Sequence, residues 1–351
     1  MRYFCPMILQ ASSLPAPETD YEKEAVAFCR EWQTGAETFR LLTSGSTGAP
    51  KTIHLTRHQM QASARLTGSM FGLAPGDKAL CCLNINYIGG RMMLVRTLEL
   101  GLQTWLTEPV SAPLQGLEDV SFDFAAFVPL QLQTLLAHAD RYLPSLNRMK
   151  AIIVGGAAVS GPLLEEIQQI QAAVYSTYGM TETVSHIAVR RLNGPEADGL
   201  FHALDGVQLS LDDRQCLCIT AAASNHEKVQ TNDMAELFPD GSFRLLGRFD
   251  HIINSGGIKI QLEKTEQLAE AVVGQVFPGC RFFAWGFPDE RLGQRLGLVI
   301  ETNTVFPSEE LLATLRPLFP PYEYPQLLKV ISSFSETSSG KIDKRQTAAR
   351  L

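Results

Sequence analysis

Short apolar and β-branched runs alternate with stretches of helical periodicity through the first two thirds of the chain, which predicts an α/β architecture. Ala151-Ile152-Ile153-Val154 reads as a buried strand ending at Gly155-Gly156. Ser160 and Pro162 then mark a helix start, and Leu163, Leu164, Ile167 and Ile170 recur at helical spacing to give one apolar face. A second unit places Leu41-Leu42 ahead of a Ser/Thr/Gly loop, with a helix from Thr56, whose spacing to Gln59 permits a capping box. From residue 243 the texture changes. Phe243-Arg244-Leu245-Leu246, His251-Ile252-Ile253 and Ile258-Lys259-Ile260 are short strands, the last two joined by a glycine turn at Ser255-Gly256-Gly257. A helix over Leu262 to Val273, strands around Phe282 to Trp285 and Leu298 to Ile300, and a helix after Pro307-Ser308 complete a separate α+β unit. The chain thus divides into a large N-terminal α/β domain, residues 1–249, and a smaller C-terminal α+β domain, residues 250–351, with a hinge at Asp250.

Composition sharpens this picture. The 351 residues are enough for two domains, and 45% hydrophobic residues can fill a core in each, which excludes disorder as the main state. Thirty basic against 37 acidic side chains leave a net charge of −7, which argues against a general nucleic-acid binder. No apolar run approaches the roughly 18 residues of a membrane span, and the stretch from Met1 to Ser13 is broken by Pro6 and reads as no signal peptide. The seven cysteines are odd in number and contain no C-x-x-C pair, which fits reduced thiols and a cytoplasmic protein. His54 and His58 stand four apart without a third ligand nearby, so they read as packing or surface histidines.

The strongest local signal is Thr43-Ser44-Gly45-Ser46-Thr47-Gly48-Ala49-Pro50-Lys51. Hydroxyl and backbone N–H donors can wrap a polyphosphate, glycine lets the backbone approach closely, and lysine adds a point charge. Pro50 stands where a Walker A loop requires glycine, so a P-loop hydrolase is disfavoured. Further along come Gly155-Gly156-Ala157-Ala158, Tyr178-Gly179-Met180-Thr181-Glu182-Thr183, Asp233, Gly247-Arg248-Phe249-Asp250, Ser255-Gly256-Gly257 and Ser338-Ser339-Gly340-Lys341. Each alone is weak, and their joint order is specific.

In that order, from residue 41 to the C-terminus, these segments resemble the core motifs of the adenylate-forming superfamily of acyl-CoA ligases, adenylation domains and luciferases. The resemblance implies a nucleotide-binding large domain with a mobile small lid domain, and a reaction in which a carboxylate attacks the α-phosphate of ATP and a thiol then displaces AMP. It also implies roles. Thr43, Ser44, Ser46, Thr47 and Lys51 would hold the β- and γ-phosphates, with Gly45 and Gly48 giving room. Gly155, Gly156, Ala157 and Ala158 would form the adenine-side turn, Tyr178 with Gly179 the stacking face, Thr181 an α-phosphate donor, and Glu182 the ligand of Mg2+. Asp233, assisted by Arg248, would bind the ribose. Lys341 would bridge the carboxylate and the α-phosphate, and Ser255, Gly256 and Gly257 would face the thiol channel after the lid turns about Asp250. Asn232 replaces the family's usual glycine, as a residue that tolerates a left-handed backbone. The phosphate loop begins only about 43 residues in, so an N-terminal subdomain is largely missing, which leaves a flank for a homodimer to cover.

Asn84-Ile85-Asn86-Tyr87-Ile88-Gly89-Gly90-Arg91-Met92-Met93 occupies the family's acyl-pocket position. With the short architecture and Thr183-Val184-Ser185-His186, it resembles the bacterial o-succinylbenzoate:CoA ligases of menaquinone synthesis. That resemblance assigns Arg91 to a distal carboxylate and Tyr87, Ser185 and His186 to the pocket wall, with ATP, Mg2+ and CoA as cofactor and co-substrates. Other readings are a different aryl- or acyl-CoA ligase, a stand-alone adenylation enzyme loading a carrier protein, and an inactive nucleotide-binding module. Glu182 together with Lys341 argues against the last, because a sensor needs no charge placed for transfer.

Overall fold

The computed structural model describes residues 6–43, 51–304, 308–337 and 342–351. The large α/β part begins with β1 (Met7–Leu9) and α1 (Asp20–Gln33), followed by β2 (Thr38–Thr43) and β3 (Lys51–Thr56), which pair antiparallel with each other. Next come α2 (Arg57–Phe71), β4 (Lys78–Cys81), α3 (Ile88–Leu100), β5 (Gln103–Leu106), β6 (Phe124–Phe127), α4 (Pro129–Leu136), α5 (Ala139–Leu146), β7 (Ala151–Val154), α6 (Gly161–Ile167), β8 (Ala173–Gly179), β9 (His186–Arg191) and β10 (His202–Ala203). The main sheet runs β1-β5-β4-β6-β7-β8-β9-β10. Strands β5, β4, β6, β7 and β8 are mutually parallel, while β1 and the β9–β10 pair join the two edges antiparallel.

Both faces of this sheet are buried, as a parallel sheet with helical crossovers requires. Ala79, Cys81, Phe124, Ala126, Ala151 and Ile153 point into one core with α1, α2 and α3. Their neighbours Leu80, Cys82, Ala125, Phe127, Ile152 and Val154 point into another with α4, α5 and α6. The strict alternation follows from the two-residue period of a strand. It accounts for the continuous apolar run at 151–154.

A four-stranded antiparallel sheet follows, from β11 (Gln208–Leu211), β12 (Cys216–Thr220), β13 (Val229–Leu237) and β14 (Phe243–Arg248). The C-terminal part contains β15 (Ile252–Ser255), β16 (Ile258–Gln261), α7 (Leu262–Val276), β17 (Phe282–Asp289), β18 (Gly293–Glu301), α8 (Ser308–Leu315), β19 (Leu327–Ile331) and α9 (Lys344–Ala348). One core of this part draws only on residues from Ile253 to Leu315, including Leu262, Ala269, Leu296 and Leu298. Gly256 and Gly257 have φ of 61° and 88° and close the β15–β16 hairpin with Ser255 opposite Ile258. Two positive φ values make this the turn whose twist matches the strands it joins.

Several sequence expectations hold at residue level. Thr56 caps α2 in a capping box with Gln59, Ser160 caps α6, and β17 pairs with β18. Others need correction. Strand β3 was not expected, although Ile53 and Leu55 alternate with polar Thr52 and His54. Helix α6 stops at Ile167, so Ile170 is buried beyond it while Leu164 is 38% exposed. Asn232 sits inside β13 without a positive φ, because it lies within the extended strand, and its side chain bonds to Arg214 and Asp250.

Candidate active site

The carboxyl ends of β4, β6, β7 and β8 lie along one edge of the main sheet, where open α/β folds place ligands. The segment 155–158 leaves β7 there. Gly155 donates to the Phe127 carbonyl at 3.1 Å, and a Cβ on it would lie 2.5 Å from the Thr177 hydroxyl, so a larger residue would have to displace that hydroxyl. Gly156 has φ of 85°, and Gly156, Ala157 and Ala158 are exposed. Of the phosphate-loop residues, Thr43 and Lys51 are the paired backbone positions that end β2 and begin β3. Ser44, Gly45, Ser46, Thr47 and Gly48 lie outside the described residues, as does Lys341.

Next to β7, strand β8 delivers Tyr178. Its ring is 8% exposed and meets Phe201 and Phe243 edge-on, and its hydroxyl donates to Asp233 Oδ2 at 2.7 Å. Burial and the Asp233 charge both raise the phenol's pKa, so it stays a proton donor. Arg248 donates through Nη1 to Asp233 Oδ1 at 3.1 Å and through Nε and Nη2 to both oxygens of Asp250 at 2.9 Å. Burial alone would raise the Asp250 pKa, but the Arg248 hydrogen bonds and charge outweigh it and hold the carboxyl below its usual value. The structure thus gathers Tyr178, Asp233, Arg248 and Asp250 into one cluster. Each Asp233 oxygen keeps a lone pair that can accept from a sugar hydroxyl.

Beyond Gly179 the chain makes a tight knot. Thr181–Thr183 form one 3-10 turn, from which Glu182 projects exposed, with no hydrogen bond or ion pair among the described residues. An exposed hard oxygen donor suits magnesium, which takes one or two protein carboxylates and completes its shell with water and phosphate. Val184 has φ of 65° and ψ of −58°, and Ser185 N–H donates to the Thr183 carbonyl at 2.7 Å across it. That is a γ-turn in its strained, positive-φ form, and the β-branched residue within it is fully buried. Gly179 packs its backbone against the Ser185 carbonyl, where a Cβ would clash. The turn separates Glu182 from Ser185 and His186.

Helix α3 carries the acid-pocket candidates. Tyr87 is its N-cap residue and is half-buried. Arg91 is turned toward α1: its Nε donates to the Ile85 carbonyl at 2.8 Å and its guanidinium lies 4.6 Å from the Phe28 ring centre. The structure therefore does not bring Arg91 to Ser185 and His186. The residue that reaches them is Arg96, five positions on and, at about 100° per residue, on a different helix face. Arg96 is 1% exposed and donates Nη2 to Ser185 Oγ at 3.0 Å, Nε to Thr67 Oγ1 at 3.2 Å and Nη1 to Met93 Sδ at 3.5 Å. No carboxylate pairs with it among the described residues. Burial pushes its pKa down to about 10, which leaves it charged at neutral pH. His186 is 5% exposed, 3.4 Å from both Thr67 Oγ1 and Ser185 Oγ, and burial together with the Arg96 charge pushes its pKa down to about 3.

The C-terminal part meets the large part beside this edge. Glu270 of α7 accepts from Gly161 N–H at 3.3 Å, and Gln261 donates to the Arg248 carbonyl at 3.0 Å. Ser255 is buried, whereas Gly256 and Gly257 are not. Among the described residues the six cysteines are free thiols, no cluster of three or more His, Cys, Asp or Glu side chains could hold a metal, and no helix is long and apolar enough to cross a membrane.

The chain is similar to proteins of one family. The family model described as AMP-binding enzyme matches residues 11–209. A crystal structure of an acyl-CoA synthetase (AMP-forming)/AMP-acid ligase II-like protein from Dyadobacter fermentans is 43% identical, with a TM-score of 0.67 over 98% of this chain and 99% of that one. The 2-succinylbenzoate–CoA ligase of Listeria monocytogenes is 26% identical over 95% of this chain and 74% of its own length. The O-succinylbenzoate coenzyme A synthetase of Bacillus subtilis, solved with ATP and magnesium, shares the fold at 21% identity, with a TM-score of 0.75 over 88% of this chain and 69% of that one. A family match across residues 11–209, more than half of the 351, places this chain in the AMP-binding enzyme family of adenylate-forming ligases.

Proposed function

We propose that the chain is an AMP-forming acid:CoA ligase that converts o-succinylbenzoate to its CoA thioester, and that the acid's non-reacting carboxylate is received by Arg96. The observation that carries this reading is the buried guanidinium itself. A charge so deeply desolvated is strongly unfavourable without a partner, and two of its five N–H donors remain after those to Thr67, Ser185 and Met93. A second carboxylate on the substrate supplies that partner. Arg91, given this role by the resemblance, is occupied against α1 instead. The similarity to 2-succinylbenzoate–CoA ligases supports the same acid.

The chain's own residues divide the work as follows. Asp233, held by Tyr178 and Arg248, accepts from the ribose hydroxyls. The exposed turn at 155–158 lies against the adenine, and the phosphate loop from Thr43 to Lys51 holds the β- and γ-phosphates. Glu182 would hold magnesium, which when bound neutralises phosphate charge. An oxygen of the succinyl carboxylate attacks the α-phosphorus and pyrophosphate leaves, with Thr181 and Lys341 stabilising the charge that develops on the α-phosphate. CoA sulfur then attacks the acyl carbon and AMP leaves. For the second step the C-terminal domain, residues 250–351, turns about Asp250 and brings Ser255, Gly256 and Gly257 to the thiol. The enzyme works in the cytoplasm as a homodimer.

The test is pyrophosphate exchange into ATP across a panel of acids with magnesium, followed by mass spectrometry of the product made with CoA. Exchange that depends on o-succinylbenzoate and a product of the thioester mass are expected. Exchange driven only by other acids would remove the substrate assignment, and none with any acid would remove the reaction.

A further inference from the structure

We propose that His186 and Thr67 are positioning residues that hold the Arg96 guanidinium in one orientation, and that this hold sets a preference for acids bearing a second carboxylate. The inference rests on the substrate reading above and adds to it two residues that touch neither ATP nor the reacting carboxylate. It follows from counting protons in a closed network.

Thr67 Oγ1 lies 3.0 Å from the Ser63 carbonyl, an acceptor only, so the Thr67 hydroxyl spends its one proton there. Toward Arg96 Nε and His186 Nε2 the same oxygen can therefore only accept. The imidazole proton must sit on Nε2, which leaves Nδ1 as a bare lone pair facing Ser185 Oγ. The Ser185 hydroxyl then donates to Nδ1 and turns a lone pair toward Arg96 Nη2. Every bond in the ring has a single direction. Two hydroxyls are thus presented to the guanidinium as acceptors, and neither can rotate to offer it a proton. All members are buried or half-buried, with Thr67 at 0% and His186 at 5% exposure, so water does not substitute for a missing partner. Phe71, 6.2 Å from the imidazole centre to centre, closes the apolar side.

A neutral imidazole suits this position, since a second proton would set its N–H against the Ser185 hydroxyl proton and its charge against Arg96. Glutamine can reproduce the arrangement with one donor and one acceptor. Leucine cannot.

The experiment measures acid-dependent pyrophosphate exchange for the wild type, H186L and H186Q with two acids: o-succinylbenzoate, and 3-benzoylpropionate, which is the same molecule without the ring carboxylate. Because each lost hydrogen bond to a charged network is a modest effect, H186L is expected to raise the KM for o-succinylbenzoate roughly three- to tenfold. The KM for ATP, kcat, and the KM or inhibition constant of 3-benzoylpropionate should stay within about twofold of the wild type, and H186Q should restore most of the loss. If H186L does not fold, T67A against T67S makes the same comparison, with the hydroxyl as the conserved feature. An equal rise for both acids, a fall in kcat with KM unmoved, or no change would overturn the positioning role. Failure of the substrate reading is seen separately, as a wild type that does not exchange with o-succinylbenzoate.

Discussion

Arg91 and Arg96 show how much a single residue's surroundings decide. Both are arginines on α3, yet one stacks on Phe28 and the other sits unpaired among hydroxyls. Truncating them should have opposite signatures. Arg96→Met is expected to raise the KM for the acid by about 10-fold to 100-fold, the worth of a charge-assisted hydrogen bond or two, with thermal stability unchanged or higher because a buried charge is removed. Arg91→Ala should leave that KM alone and lower stability by about 1 kcal/mol through lost packing and one hydrogen bond. Steady-state kinetics and a melting curve on each variant check both statements, and an acid KM that follows Arg91 would reverse the assignment.

His186 gives a pH dependence at the same scale. Its folded pKa of about 3 lies below the ordinary 6.5, so between those values the unfolded chain binds a proton that the folded chain does not. Its contribution to stability is therefore intact above pH 6.5 and is lost on acidification, by about 1.4 kcal/mol per pH unit. His186→Gln should flatten the decline between pH 6.5 and 5 in urea unfolding, whereas parallel wild-type and variant curves would show that the imidazole already titrates in the folded state. The sequence resemblance assigned Arg91 and passed over Arg96, although the chain carries a signal for its burial. Met92-Met93-Leu94-Val95-Arg96-Thr97 sets one charge inside an apolar helical run, which is the mark of a buried cation. Arg91 lies next to the motif glycines, but adjacency in sequence says little about which face of a helix a side chain takes.

At the scale of elements, the knot between β8 and β9 carries strain in its backbone. Holding Val184 at φ 65° costs on the order of 1–3 kcal/mol, which glycine at that position would not incur. Val184→Gly should therefore lose less stability than Val189→Gly, a comparably buried valine in β9 with ordinary dihedrals, when both are measured by urea denaturation. Equal losses would mean that the turn is not strained. The strand–turn–helix unit at 151–167 was readable because its signals are local: an apolar run, two glycines and a capping serine. Strand β3 went unread because the Ser/Thr/Gly composition ahead of it reads as loop. Its two-residue alternation, Ile53 and Leu55 against Thr52 and His54, only acquires meaning once β2 is available to pair with it.

For the whole molecule, Lys341, proposed to act on the α-phosphate, lies far along the chain from the residues proposed to hold the nucleotide. Glu336 pairs with Ile342 in a C-terminal part whose core is its own. Lys341→Ala is expected to abolish acid-dependent pyrophosphate exchange while thioester formation from supplied acyl-adenylate and CoA persists. Equal loss of both half-reactions would argue that the two parts do not alternate. The order of motifs along the chain made the two-part architecture legible. The contact of Glu270 with Gly161 was not, since nothing in either local sequence refers to the other.

The reversal at Val184 ties Glu182, the carboxylate proposed for magnesium, to Ser185, which holds the Arg96 guanidinium, with only two residues between them. Anyone recasting this ligase for a different acid would find that Glu182 and Ser185 cannot be varied independently: a bulkier side chain at 185 tugs on the carboxylate across the reversal. Gly179 through Ser185 should be transplanted as a single cassette, and libraries that randomise Ser185 alone will discard catalytic competence together with selectivity.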